Sequence, residues 1–368
     1  MWYNNVKGII KGVNKMRKLK LKKVIASTLV MAAVLALNPI EARAEWIDDS
    51  TGRWYSEGDS WAVGWRHIDA DMYYFGEDGY MKKGWIQDGG KWYYLNDNGT
   101  MAKDIDVDGW YLNSSGVGAE CIKIDGFEID KSTGTIAKYI GNDDVSSLTI
   151  PREIGGIEVK CIGGSAFYKC NSLTSITIPD SVTNINDLAF CNCNNLVSIT
   201  IPNSVKTIGN SAFEDCSSLA SITIPDSVTN IGESAFSYCS NLISIKIPNS
   251  VKSINNWTFY GCDLLTNVTI PNSVTSIKDS AFTNCKNLTS VVIPDSVISI
   301  EQTVFSGCSS LTSVTIPDSV ESIGREAFYG SNNAVFYVGN EDTKLRLVNI
   351  GVDESKVVIN DQSKAAAK

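Results

Sequence analysis

From Val145 to Val338, apolar and polar residues recur on a cycle of 23. The cycle running from Leu242 to Cys262 keeps Leu242, Ile245, Ile247, Val251, Ile254, Phe259 and Cys262 apolar. Alternation at Ile245 and Ile247 predicts a short half-buried strand, and Pro248 ends it because proline has no amide proton for a ladder. The Asn249-Ser250 pair suits a turn, where short polar side chains bond nearby backbone. A second short strand is predicted around Val251–Ile254. The columns are unbroken: Pro179 to Pro317, Phe167 to Phe328 and Cys170 to Cys308 each step by 23 residues. No single cycle can bury its own apolar edge, so the cycles must stack and the columns become ladders. At about 4.8 Å per rung, seven regular cycles give a core roughly 35 Å long.

A second pattern precedes the first. Between Trp46 and Leu112 lie seven of the nine Trp and seven of the fourteen Tyr, on a period of about 20. Gly64-Trp65 returns as Gly84-Trp85, Tyr73-Tyr74-Phe75 as Tyr93-Tyr94-Leu95, and Gly79-Tyr80-Met81 as Gly99-Thr100-Met101. A shorter third copy reads Gly109-Trp110-Tyr111-Leu112. Paired aromatics followed by Asn96-Asp97-Asn98-Gly99 predict strands closed by a glycine turn. The expected fold class is mainly β: a leucine-rich repeat solenoid of about eight 23-residue units, preceded by a small array of aromatic β-hairpins. The expected domains are hairpins over 45–120, a solenoid with its lead-in segment over 121–338, and a cap and tail over 339–368.

The aromatic segment resembles the cell-wall-binding repeats of choline-binding surface proteins, whose unit runs Gly-Trp, Trp-Tyr-Tyr-Leu, Gly-x-Met. Gly84 to Met101 follows it throughout. The resemblance implies that consecutive hairpins box a cationic head group between rings, which attract a quaternary ammonium through their faces. Carried over by position, one box would use Trp85, Trp92 and Tyr111. The preceding box would use Trp65, Met72 and Tyr94, with Met72 in place of a Trp. Two further readings stay open: the rings staple hairpins that have little core, or they stack on sugars. The repeating cycle resembles the BspA-like leucine-rich repeat, in its Ile-Pro-x-Ser-Val, Ile-Gly-x-x-Ala-Phe and Cys positions. That family comprises surface adhesins, so the resemblance implies attachment or recognition without a catalytic step.

Composition narrows the partners. Residues 1–44 hold nine Lys/Arg and one acid, so the remainder is more acidic still than the whole-chain −9. Such a charge argues against nucleic acid. Lysines up to Lys23, the apolar run Val24–Leu37 and Ala42-Arg43-Ala44 read as a secretory signal peptide over 1–44. The outward strand positions are nearly all Ser, Thr or Asn, a face that offers hydrogen bonds but no steep field and reads first as a plain β-surface of good strand formers. His67 is the single histidine and sits among the aromatic hairpins, outside the solenoid, so it reads as a lone surface histidine rather than the base of a Ser-His-Asp or Cys-His relay. Asp180, Asp226, Asp295 and Asp318 stand one per rung, too few oxygens for calcium, and Cys191 and Cys193 lack further ligands for zinc. The column cysteines would sit about 4.8 Å apart and parallel, poorly placed for bridges; they are expected to be buried thiols that pack as small apolar groups.

No cofactor, metal or catalytic residue is therefore expected. The anticipated protein is secreted and held at the cell surface or wall. Wall polymer, choline-bearing or glycan, would bind through 45–120, and a host or bacterial protein or glycan through the solenoid. The alternative is a soluble glycan-binding effector with the solenoid as spacer.

Overall fold

In the computed structural model, the described residues are 44–360 apart from 59, 109, 114 and 120. The expected signal peptide lies outside them but for Ala44, as do the last eight residues of the tail. The chain divides into two compact units between Ala102 and Lys103, so the short third aromatic copy falls within the second unit.

The first unit is three hairpins. Strands β1 (Glu45–Asp48) and β2 (Arg53–Ser56) pair antiparallel, as do β3 (Gly64–Ile68) with β4 (Asp71–Phe75) and β5 (Gly84–Asp88) with β6 (Lys91–Leu95). After each later hairpin the chain returns to the one before it: the Met81 amide donates to the Arg53 carbonyl at 2.8 Å and the Met101 amide to the Met72 carbonyl at 2.7 Å. The glycine of each return is required by close approach. A Cβ on Gly99, at φ +88, would lie 2.1 Å from Met81 Sδ. The core is small, with Ala62, Ile68 and Phe75 buried and Trp46, Tyr55, Tyr73 and Met81 packed on them.

The second unit is a β-solenoid of about ten turns. Each regular turn supplies a three-residue strand, such as Ser244–Lys246, and a two-residue strand, such as Ser253–Ile254. Both expected strands are thus present, and both stack in parallel register: Ser175, Ile176 and Thr177 pair with Ser198, Ile199 and Thr200, while Ile254 pairs with Ile277. The inward residue is buried in most strands, with Leu148, Val268 and Ile323 half-buried. At the front, strands Cys121–Ile124, Phe127–Asp130 and Thr135–Tyr139 lead into the second ladder through Ile136↔Ile162. At the back, Val335–Val338, helix α1 (Glu341–Asn349) and Val357–Ile359 close the stack. Asn340 caps α1, its side-chain oxygen accepting from the Thr343 amide at 2.8 Å.

Between the two ladders each turn carries its phenylalanine. Successive rings from Phe167 to Phe328 lie nearly parallel, with centroids 5.0–5.7 Å apart and planes within 15°. Tyr139 extends the pile at the front at 5.5 Å, and Phe336 ends it edge-on at 77°. The residues two before and two after each Phe have φ between +51° and +78°. Most are not glycine, although a left-handed residue costs about 1–2 kcal/mol. The compensation lies along the stack. The flips aim alternate amides at the next rung: Leu188, Phe190 and Asn192 donate to the carbonyls of Asn210, Ala212 and Glu214, each at 2.8 Å.

The cysteine column does more than fill space. Cys193, Cys216, Cys239, Cys262, Cys285 and Cys308 donate Sγ–H to the carbonyl of the preceding rung's Phe at 3.0–3.3 Å. Where the column ends, Ser331 donates to Phe305 O at 2.9 Å. Burial pushes the Cys193 and Cys308 thiols up to about 12, which keeps the proton the bond needs. The column thiols form no bridges.

Phe236→Ala is expected to lower unfolding stability by about 3–5 kcal/mol, because it opens a cavity in the middle of the pile; urea denaturation monitored by circular dichroism checks it. Leu188→Gly is expected to do the reverse. Leu188 holds φ 60° and is 39 % exposed, so glycine relieves strain with little packing lost. A gain of about 0.5–1 kcal/mol in the same measurement is the predicted result.

Candidate functional site

Strand alternation decides which rings meet. In β5–β6, Trp85 stands directly across from Tyr94 and Ile86 from Tyr93. Trp85 and Tyr94 therefore share a face, with centroids 5.3 Å apart. Tyr93 takes the opposite face and meets Trp65 of the preceding hairpin at 4.8 Å. The expected trio of Trp65, Met72 and Tyr94 is corrected on this point. Tyr93 is the ring that faces Trp65, and Tyr94 belongs to Trp85, because neighbours along a strand point to opposite faces. The period of two could have shown this from the sequence, once Trp85 and Tyr94 were paired across the hairpin.

Around Trp65 the arrangement is a partial cage. Tyr74 stands edge-on at 5.1 Å from its own hairpin and Tyr93 at 4.8 Å from the next. Met72 lies on the same hairpin, opposite the exposed His67. Trp65 Nε1–H donates to Asp88 Oδ2 at 3.2 Å, which fixes the indole and places a carboxylate at the rim. Aromatic faces beside a carboxylate suit an organic cation. Trp85 and Trp92 make a second corner, with centroids 6.5 Å apart and planes at 82°. Trp92 is 43 % exposed.

Tyr111 is placed differently. It belongs to the second unit, where β7 (Ile105–Val107) pairs with β8 (Trp110–Leu112) and β8 with β9 (Gly118–Ala119). Its side chain is 2 % exposed and its hydroxyl donates to Asp104 Oδ1 at 3.3 Å. Asn186 Nδ2 donates to the same oxygen at 2.7 Å, and Cys161 Sγ lies 3.4 Å from Asn186 Oδ1. Two glycines admit this cluster: a Cβ on Gly164 would lie 2.0 Å from the Asp104 carbonyl oxygen, and one on Gly163 2.5 Å from the Tyr111 hydroxyl. Tyr111 thus offers no open ring face. Gly164 stands where later turns carry Asp187 and Asn210, and that substitution in the column was the available signal.

Burial pushes the Asp104 carboxyl up to about 6, against the lowering effect of the Asn186 and Tyr111 hydrogen bonds. Burial and the neighbouring Asp104 raise Tyr111. Among the described residues, no group of three or more His, Cys, Asp or Glu could hold a metal ion, and no helix is long and apolar enough to cross a membrane. The edge carboxylates are engaged with neighbours in places: Arg152 pairs with Asp180 at 2.5 Å, and Asp226 accepts the Asn249 amide at 3.4 Å.

The solenoid's exposed strand face bears Thr177, Ser198, Thr200, Ser221 and Thr223, with Lys246 as a charged exception. Ile243 and Val292 add exposed apolar surface, Val292 at 66 %. Towards its C-terminal rungs the face holds a concavity of about 780 Å³, with Thr269, Ser290, Asp295, Asp318 and Tyr337 in its lining.

The BspA-type leucine-rich repeat region matches this chain in six copies, across residues 119–242, 160–289 and 275–345. The choline-binding repeat matches residues 62–105. Among solved structures, a leucine-rich repeat protein of T. pallidum is 27% identical, covering 64% of this chain and 97% of its own, with a TM-score of 0.45. A leucine-rich cell surface protein of Faecalibacterium prausnitzii is 28% identical over 70% of this chain and 76% of its own, at 0.41. The choline binding domain of Spr1274 from Streptococcus pneumoniae is 32% identical over 22% of this chain and 98% of its own, at 0.21. No curated protein matches the chain.

The raised carboxyl predicts a pH dependence. A folded-state value near 6 against an ordinary 3.8 means the folded form holds a proton that the unfolded form has released. That contribution is full below about pH 4 and is lost as pH rises through about 6, a change on the order of 2–3 kcal/mol. Asp104→Asn is expected to flatten this segment of the stability–pH curve and to stabilise the protein at pH 8 by about 1–2 kcal/mol, as read from denaturant melts at pH 4, 6 and 8.

Proposed function

Since this chain belongs to the BspA-type leucine-rich repeat family and carries choline-binding-type repeats, we propose that it is a secreted bacterial surface protein tethered to wall polymer by its hairpins. Its solenoid face serves in adhesion or recognition of host or neighbouring-cell partners. Both repeat families are typical of surface or cell-wall-associated proteins and are typically non-catalytic. The reading accordingly contains no catalytic step.

One observation carries the tether: the Trp65 cluster lies at the junction of two successive hairpins, the Trp85–Trp92 corner lies on the last of them, and part of the ring surface is open. Trp65 has two rings within 5.1 Å and a carboxylate on its indole nitrogen, and the Trp85–Trp92 corner has an exposed wall. Rings that served only as hairpin staples would have their faces covered. The ligand that fits is a quaternary ammonium such as the choline of a wall polymer. With few clusters, the affinity of the whole tether is modest, because avidity multiplies over sites. The solenoid face contributes mostly neutral hydrogen-bonding groups, which suit a protein or glycan surface better than a polyanion.

Millimolar choline is expected to elute the full-length protein from intact cells of a choline-decorated wall. Trp85→Ala is expected to weaken choline binding about tenfold, matching the roughly 1–2 kcal/mol of one cation–ring contact. Retention in choline, with release by oligosaccharide instead, would favour the soluble glycan-binding reading.

A further inference from the structure

The three hairpins of the first unit share one register. Trp46 is across from Tyr55, Trp65 from Tyr74 and Trp85 from Tyr94. Seven residues after each of these tryptophans stand Arg53, Met72 and Trp92. The first cluster has the same build as the second. Tyr55 is edge-on to Trp46 at 5.2 Å, and Tyr73 of the following hairpin lies 4.9 Å away. The corresponding rings around Trp65 lie at 5.1 and 4.8 Å. The difference is what sits on the tryptophan. Arg53 Cζ stands 4.5 Å from the Trp46 ring centroid, inside the range in which a cation is held by a ring face.

We propose that Arg53 is the built-in occupant of the first aromatic cluster, filling with its own guanidinium the place that a quaternary ammonium would take, so that this cluster is closed to external cations. The proposal rests on the reading of the other clusters as cation sites. It makes the residue seven places after the tryptophan the determinant of each cluster's state: Arg fills it, Met leaves it open, and Trp adds a wall.

Two observations and a general argument support the assignment. Asp48 lies 3.6 Å from Arg53 Nε, a carboxylate at the rim of this cluster as Asp88 is at the rim of the next. Arg53's charge works to lower the raised Tyr73 hydroxyl, against burial and the nearby Asp71 and Asp69, so the guanidinium is within electrostatic reach of the following hairpin's tyrosine as well. The geometry is also economical. A tethered cation competes at an effective concentration of about millimolar or more, enough to exclude a soluble cation that binds only at similar concentrations. A second cation in the same space would also meet the guanidinium's charge.

The test is calorimetric titration of the full chain with choline chloride, comparing wild type with Arg53→Met, Arg53→Gln and Met72→Arg. Arg53→Met copies the residue of the second hairpin, and Arg53→Gln removes charge while keeping a polar side chain. Both are expected to bind one more choline per chain than wild type. Met72→Arg is the converse, and is expected to bind one fewer. It leaves the first hairpin untouched, so it keeps the test sharp if the Arg53 variants fold poorly. Choline binding by wild type with unchanged stoichiometry in folded variants overturns the inference and leaves the tether reading standing. No binding by wild type or any variant removes the tether reading and the inference together.

Discussion

Everything in the second unit follows from the fact that one turn's inner surface is covered only by the next turn. A rung cannot be buried alone, so its backbone must bond along the stack and its apolar residues must repeat in place. The three-residue strands meet this with Ile or Val facing in and Ser or Thr facing out. The phenylalanine segment meets it by a costlier route. Two left-handed residues per turn swing alternate amides onto the stacking axis, where each finds a carbonyl of the following rung. The Phe carbonyl is answered from the other direction by a thiol. Backbone strain, ring stacking and the cysteine bond are therefore parts of one solution, and none would persist without the neighbouring rung.

Much of this was legible from the spacing of residues. Pro248 ends the strand that Ile245 and Ile247 announce, and the second strand falls at Ser253–Ile254 as the pattern suggests. Periodic columns of this kind encode the fold directly, because a position that repeats 23 residues later must occupy the same place on the next turn. The cysteines were half legible. Their burial, complete from Cys193 onward with Cys170 half-buried, and their lack of bridges follow from parallel stacking, whereas the bond to Phe 26 residues earlier does not, since it depends on the carbonyl direction set by the left-handed flips. Ser331 in the eighth position was the visible clue: a hydroxyl replacing a thiol in a buried column implies a donor role, which a purely apolar packer would not need.

The aromatic segment was less legible for a related reason. Repetition locates the tryptophans, but cluster membership depends on which face of a two-residue-period strand each ring takes. Tyr93 and Tyr94 are adjacent in sequence and serve different clusters, with Tyr93 meeting Trp65 and Tyr94 meeting Trp85. Tyr111 shows a second limit. Its motif repeats that of the open copies, yet its surroundings include the half-buried Asp104 carboxyl together with an asparagine and two glycines supplied by the solenoid's first turns. A local motif cannot report what packs over it from far along the chain.

Repetition and departure thus carry different information. The columns that recur turn after turn, Pro, Phe and Cys, hold the scaffold, and they would serve any surface protein built on this stack. What distinguishes one copy from another lies at the positions where the pattern is broken. Gly164 stands in a column that otherwise carries long or short polar side chains, from Asp187 to Arg325, and lets a hairpin seat against the first turn. Val292 breaks the Ser/Thr face and places an apolar residue beside the concavity. Arg53 breaks the Met/Trp position and puts a cation where its neighbours have none. In a repeat protein each copy is the control for the others, so a single substituted column position can be read against several unsubstituted ones at nearly constant geometry. That comparison locates the individuality of this protein in its exceptions, and it explains why a strongly periodic chain still presents distinct sites along its length.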